Sequence, residues 1–73
     1  MNNNYGVIIH PDRFNQIISM TDEQRGKVIL NMIKTFQGEE PIVYMDQFLD
    51  YASEDLCGRV LYDKSLSEKK SNN

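Results

Sequence analysis

Apolar positions recur along most of the chain at helical spacing, and the breaks between them define the elements. Phe14, Ile17 and Ile18 fall at i, i+3 and i+4, one face of a short helix over about 11–20. Pro11 suits the first position of that helix, because its missing amide donor would be unpaired there in any case. A second helix over about 22–37 carries Val28, Ile29, Met32, Ile33 and Phe36 as its expected buried stripe, with Leu30 flanking it. Thr21 with Gln24 three residues on forms a capping box at its start, and Asp22 and Glu23 suit the positive end of the helix dipole. Its end is set by Gly38, where a left-handed terminus favours glycine, and by Pro41, which forbids continuation.

A third helical stretch begins at about 44–46 and runs toward 63, with Met45, Leu49, Ala52, Leu56 and Val60 along one apolar line. Ser53, followed by two acids, could instead cap a separate final helix, so a break or bend near Ala52 and Ser53 is the alternative. Ahead of the first helix, Val7, Ile8 and Ile9 form a β-branched run too short to stand as a strand, an extended arm or a brief edge strand. The fold expected is all-α: a small bundle of three to four helices behind a short extended N-terminal segment. It is a single domain over 1–73, ordered over about 5–64 and ending in a polar, flexible tail over 65–73. Gly26 and Gly58 lie inside predicted helices, where each costs on the order of 1 kcal/mol against Ala. Simple tolerance and a close helix crossing both fit them.

With 73 residues, 40% of them apolar and 26% charged, the chain has the balance of one folded domain. Domains of this length bury only about 60% of the surface their unfolded chains expose, so stability is marginal and pairing into a homodimer is a natural reinforcement. Cys57 is alone, which excludes an intrachain disulfide and fits a reducing compartment. On an amphipathic helix beside Leu56, it reads as a small buried side chain rather than a thiolate. The opening Met-Asn-Asn-Asn-Tyr lacks the positive flank and apolar run of a secretory signal, and nowhere do eighteen apolar residues run together. A cytoplasmic protein without a membrane span is the expectation.

Reactive chemistry is sparse. The only histidine, His10, precedes a helix-starting proline and is expected to make a hydrogen bond near that helix start rather than to act as a base. One His and one Cys cannot close a tetrahedral zinc site, and scattered glycines at 6, 26, 38 and 58 make no phosphate cradle. The segment MDQFLDYASED lacks the alternating oxygen ligands and the glycine of a calcium loop. No enzymatic activity, cofactor or metal is expected.

The order VIIHPDRFNQIISMTDEQRGKVILNMIKTFQGEEP, residues 7–41, resembles a family of small helical domains of unknown function encoded by phages and integrative elements of bacteria. TDEQRG, from Thr21 to Gly26, and FQGEEP, from Phe36 to Pro41, carry the match. Members of that family read as a β-rich opening, a short helix, an acidic helix start, and a helix ending in an aromatic residue before Gly, two acids and Pro. The domain sometimes stands alone and sometimes precedes regions similar to DnaD-type replication initiators, which implies a role around DNA replication or host takeover. Beyond residue 45 the chain departs from the family, which continues into a longer and more basic helix.

That departure coincides with the strongest charge feature. Residues 39–55 hold Glu39, Glu40, Asp46, Asp50, Glu54 and Asp55 and no Lys or Arg, so the window is −6 within a net charge of −3. On a helix, Asp46, Asp50 and Glu54 fall in one line, about 6 Å apart along the axis. Like charges at that spacing repel by a few tenths of a kcal/mol per pair. They read either as the solvated side of an amphipathic helix or as an acidic docking surface, with Tyr44 and Tyr51 as aromatic anchors and Phe48 beside them. The functional expectation is a non-enzymatic interaction module, an inhibitor or adaptor that binds a host or phage protein through this face. The alternative is a small dimeric DNA-associated regulator or replication accessory using Arg25, Lys27 and Lys34, although a negative chain is poorly suited to nucleic acid.

Overall fold

The computed structural model describes residues 7–71, with side chains placed as far as Glu68. The expected ordered start at Tyr5 and the last two residues of the expected tail lie outside the described residues. In chain order there is a 3-10 turn at Pro11–Arg13, then α1 (Phe14–Ile18), α2 (Asp22–Phe36) and α3 (Gln47–Ser71). The architecture is all-α, three helices with α2 packed on α3, and no strand forms among the described residues. Val7 and Ile9 tuck against the core from an extended arm, but no second strand is present to pair their backbone, so an edge strand does not form.

The first helix is broken in character: the 3-10 turn occupies its start, and only five residues are α-helical. Of the expected apolar trio only Ile17 is buried, while Phe14 and Ile18 face outward. A helix this short cannot turn a whole stripe inward, and Met20, in the connection to α2, completes its contact with the core instead.

α2 starts and stops where its signals place it. The Thr21 hydroxyl accepts the Gln24 amide at 3.1 Å, and the Gln24 side-chain oxygen accepts the Thr21 amide at 2.9 Å, a complete capping box. At the other end the Glu39 amide donates to the Lys34 carbonyl at 2.8 Å and the Gly38 amide to the Thr35 carbonyl at 3.1 Å, with Gly38 at φ +84°. That is a Schellman terminus, and only glycine takes its left-handed position without a steric penalty.

The buried face of α2 is not the stripe that apolarity alone picks out. Val28, Asn31, Met32 and Thr35 are buried, Ile29 and Phe36 are partly so, and Ile33 and Leu30 are exposed. Asn31 is the reason. It is 0% exposed. Its side-chain nitrogen donates to the Ile42 carbonyl at 3.0 Å and to the Ser53 hydroxyl at 3.1 Å, and its oxygen accepts the Ile42 amide at 2.8 Å. One amide side chain thus joins α2 to the 38–46 connection and to α3.

α3 is continuous through the position where a break was considered. Ser53 is buried and its hydroxyl faces Asn31, so it is a core contact rather than a cap. Leu49, Ala52, Leu56, Val60 and Cys57 are buried as one strip, but Met45 is not part of it: it precedes the helix, stands at φ +61° and is 91% exposed. At the far end the helix runs on to Ser71, through most of the segment expected as a flexible tail. Just past 63 the helix is anchored by Lys64, whose ammonium donates to the Phe36 carbonyl at 2.7 Å and lies 5.2 Å from the Phe36 ring centre. A cation at that point meets the negative end of α2 and ties this turn of α3 to it.

The N-terminal turn is strapped to a charged stripe on α3. Arg13 holds the Asp55 carboxylate through two nitrogens, at 2.9 and 3.3 Å. Arg59 approaches Asp12 at 3.8 Å and Asp63 at 3.7 Å. At its own helix start His10 bonds only through its carbonyl, which accepts the Arg13 amide at 2.9 Å; its ring nitrogen lies 2.7 Å from Asp63, 53 residues away. Asp55, Arg59 and Asp63 are four residues apart on one side of α3, so the turn meets a ladder of alternating sign.

Two substitutions test this description by chemical denaturation. Asn31→Leu should lower stability by about 2–4 kcal/mol, because the Ile42 amide and carbonyl lose their partner inside the fold. Gly58→Ala should raise it by up to about 1 kcal/mol, since a Cβ there meets nothing within 4 Å and helix propensity improves.

Candidate functional site

The connection from Gly38 to Asp46 lies beside α3 instead of arching away from it, because Asn31 grips Ile42 at its middle. Between the two runs an open groove of about 630 Å³. Pro41, Ile42 and Val43 form one wall and Cys57, Gly58 and Leu61 the other, with Thr35 and Ser53 at the floor. Gly58 contributes no side chain, and the space in front of its Cα is empty, so the α3 wall is lowest there. Glu39, Glu40, Asp50 and Glu54 complete the lining, and every charged residue in it is acidic. Thr35 is 6% exposed and its hydroxyl has no hydrogen-bond partner. Gly26, by contrast, lies at no helix crossing within the chain and outside this groove.

The line of acids resolves into separate duties. Asp46 caps α3, its carboxylate accepting the Leu49 amide at 3.1 Å. Asp50 reaches back with both oxygens, accepting the Tyr44 amide at 2.9 Å and the Asp46 amide at 3.2 Å. Those amides flank Met45, so one carboxylate clamps the single non-glycine residue with positive φ among the described residues. Both acids sit at the positive end of α3, where the dipole offsets their mutual repulsion. Glu54 is different: it is exposed, lines the groove and makes no ion pair among the described residues.

The two tyrosines part company. Tyr44 is half-buried against the core, with the Lys27 ammonium 5.1 Å above its ring, and Tyr51 is 71% exposed on another side of α3. Neither lines the groove. The three basic residues also have neighbours. Arg25 donates to the carbonyls of Ile17 at 3.0 Å and of Met20, and pairs with Asp22 at 2.6 Å, capping the end of α1. Lys27 pairs with Glu23 and Lys34 with Glu39, each at 3.0 Å. Lys27 and Lys34 share one side of α2, seven residues or about 10 Å apart along the axis, and Arg25 faces the opposite side, so the three do not gather into one patch.

The sequence pattern picks out Asp50 and Glu54 but not Thr35, Ile42, Val43, Gly58 or Leu61. A weak signal exists: Ile42 and Val43 are apolar residues in a connection after a helix stop, where no helical face could bury them. Among the described residues no three His, Cys, Asp or Glu side chains gather in a way that could hold a metal ion, and no helix is long and apolar enough to cross a membrane. A scan against protein-family models matched no family, and searches of curated proteins and of solved structures matched none.

The division among the acids can be measured. Asp50→Ala should lower stability by about 1–2 kcal/mol, since two amides and a helix N-terminus lose their anion. Glu54→Ala should change it by less than about 0.5 kcal/mol. Met45→Asn should be stabilising by up to about 1 kcal/mol, because Asn tolerates the left-handed region. Urea denaturation of the three variants against the parent chain reads all of these effects.

Proposed function

We propose that this chain is a non-enzymatic protein-interaction module that takes a segment of a protein partner into the groove between residues 38–43 and α3. It acts as an inhibitor or adaptor on a host- or phage-encoded protein, in line with the resemblance to domains of phages and integrative elements. The observation that carries this reading is the groove itself: apolar walls of Pro41, Ile42, Val43 and Leu61, left open at Gly58, under an acidic rim. Apolar side chains held at a surface by a buried hydrogen-bonded clamp have few structural explanations, and grooves of this form are where partner helices seat. The acidic helix face enters through Asp50 and Glu54, which share the groove, whereas Tyr44 and Tyr51 are set apart from it.

The DNA-associated alternative draws less support, because Arg25, Lys27 and Lys34 each hold an intramolecular partner and Arg25 faces away from the two lysines. Self-association is a compatible property. On α2, Leu30 and Ile33 are exposed on one side of the helix with Gly26 and Gln37, and a second copy could cover them.

Gly58→Leu places a side chain in the groove at its most open point, where a Cβ meets nothing within 4 Å. Affinity capture from a bacterial extract should then recover a protein with the parent chain that Gly58→Leu, folded by circular dichroism, fails to hold. A partner retained equally by both would place the interaction elsewhere. Appreciable binding of duplex DNA at moderate salt would favour the alternative. Sedimentation should show Leu30→Glu shifting any dimer toward monomer.

A further inference from the structure

We infer that the occupant of the groove is a cationic amphipathic helix of a protein partner, its apolar side chains against Ile42, Val43 and Leu61 and its Lys or Arg side chains on Glu40 and Glu54. This rests on the groove being the interaction site. Three observations select that chemistry. The α3 wall runs from Asp50 to Leu61, about 16 Å at 1.5 Å per residue, which matches roughly three turns of a facing helix. Glu40 stands on the connection and Glu54 on α3, and neither has an ion pair among the described residues, so each can receive an incoming cation at no cost to an internal contact. The other two rim acids already have partners, Glu39 in Lys34 and Asp50 in the amides of Tyr44 and Asp46.

The third observation is the Thr35 hydroxyl, buried at the floor without a hydrogen-bond partner. Such a group lowers the stability of the free chain, and with its oxygen closed to solvent the floor presents no polar atom there, so apolar side chains of the occupant suit it. Absence of any basic residue from the groove lining excludes the opposite choice: an acidic or phosphorylated segment would meet only carboxylates and be repelled. A cationic helix is also steered toward a chain that is net negative.

The test uses three synthetic twelve-residue peptides of one helical apolar pattern, Leu with Lys, Leu with Gln and Leu with Glu, titrated into the full chain by calorimetry at low and moderate salt. The Leu/Lys peptide should bind tightest, lose affinity in Gly58→Leu, and weaken by roughly five- to twentyfold in Glu40→Gln/Glu54→Gln at low ionic strength, less as salt is raised. Thr35→Val should stabilise the free chain and leave the affinity of that peptide within about twofold. If the Leu/Gln or Leu/Glu peptide binds as tightly in a manner Gly58→Leu abolishes, the cationic assignment is overturned and the groove reading stands. Should every peptide bind Gly58→Leu as it binds the parent chain, or none bind either, both are overturned.

Discussion

The buried side chain of Asn31 is the constraint on which the remaining arrangement depends. Three hydrogen bonds leave it, two to the backbone of Ile42 and one to Ser53, so α2, the inter-helix connection and α3 are registered by one amide group. Within an apolar surround these bonds are strong, and the same surround makes each of them expensive to leave unmade. A leucine in that place would pack against α3 as well, but it would leave the connection free to swing. The position of Ile42, and with it one wall of the groove, follows from a polar choice at the centre of a hydrophobic interface.

Electrostatics then secures the ends. Asp46 and Asp50 occupy the amides at the start of α3, and Lys64 occupies a carbonyl at the finish of α2. Arg25 does the same for α1 through the carbonyls of Ile17 and Met20. With nine buried hydrophobic side chains in the core cluster of the described residues, helix termini are a large share of the polar groups needing partners, and charged side chains meet that need. The excess of acid in residues 39–55 loses much of its oddity in this light. Glu39 lies against Lys34, Asp55 is held by Arg13, and Asp46 and Asp50 serve a helix start. Glu40 and Glu54 are left, and these two sit on the groove.

The groove gives these residual charges a setting. Apolar walls supply contact area and the acids a sign, a division of labour common to grooves that recognise amphipathic helices. Gly58 fits the same picture, since a glycine inside a helix weakens it and no atom of the described residues lies within 4 Å of where its Cβ would stand. The clamp at Met45 has a similar character: strain in the backbone is held by Asp50, a residue that also borders the groove.

Local signals were legible wherever a structural event depends on a few adjacent residues. The capping box at Thr21, the glycine terminus at Gly38 and the apolar strip Leu49, Ala52, Leu56 and Val60 could all be read from spacing, because each is set by intrahelical geometry. The all-α class followed from them. What the sequence could not disclose was which side of α2 faces inward, since Asn31 and Thr35 defeat a rule based on apolarity, and only contact with Ile42 and Ser53 makes an asparagine a core residue. Nor could it separate the acids that cap from those that face outward: Asp46, Asp50 and Glu54 look alike at four-residue spacing until the start of α3 is known. Helix and turn were determined by the chain itself; the groove was decided by tertiary structure, because its walls come from segments brought together by one buried side chain.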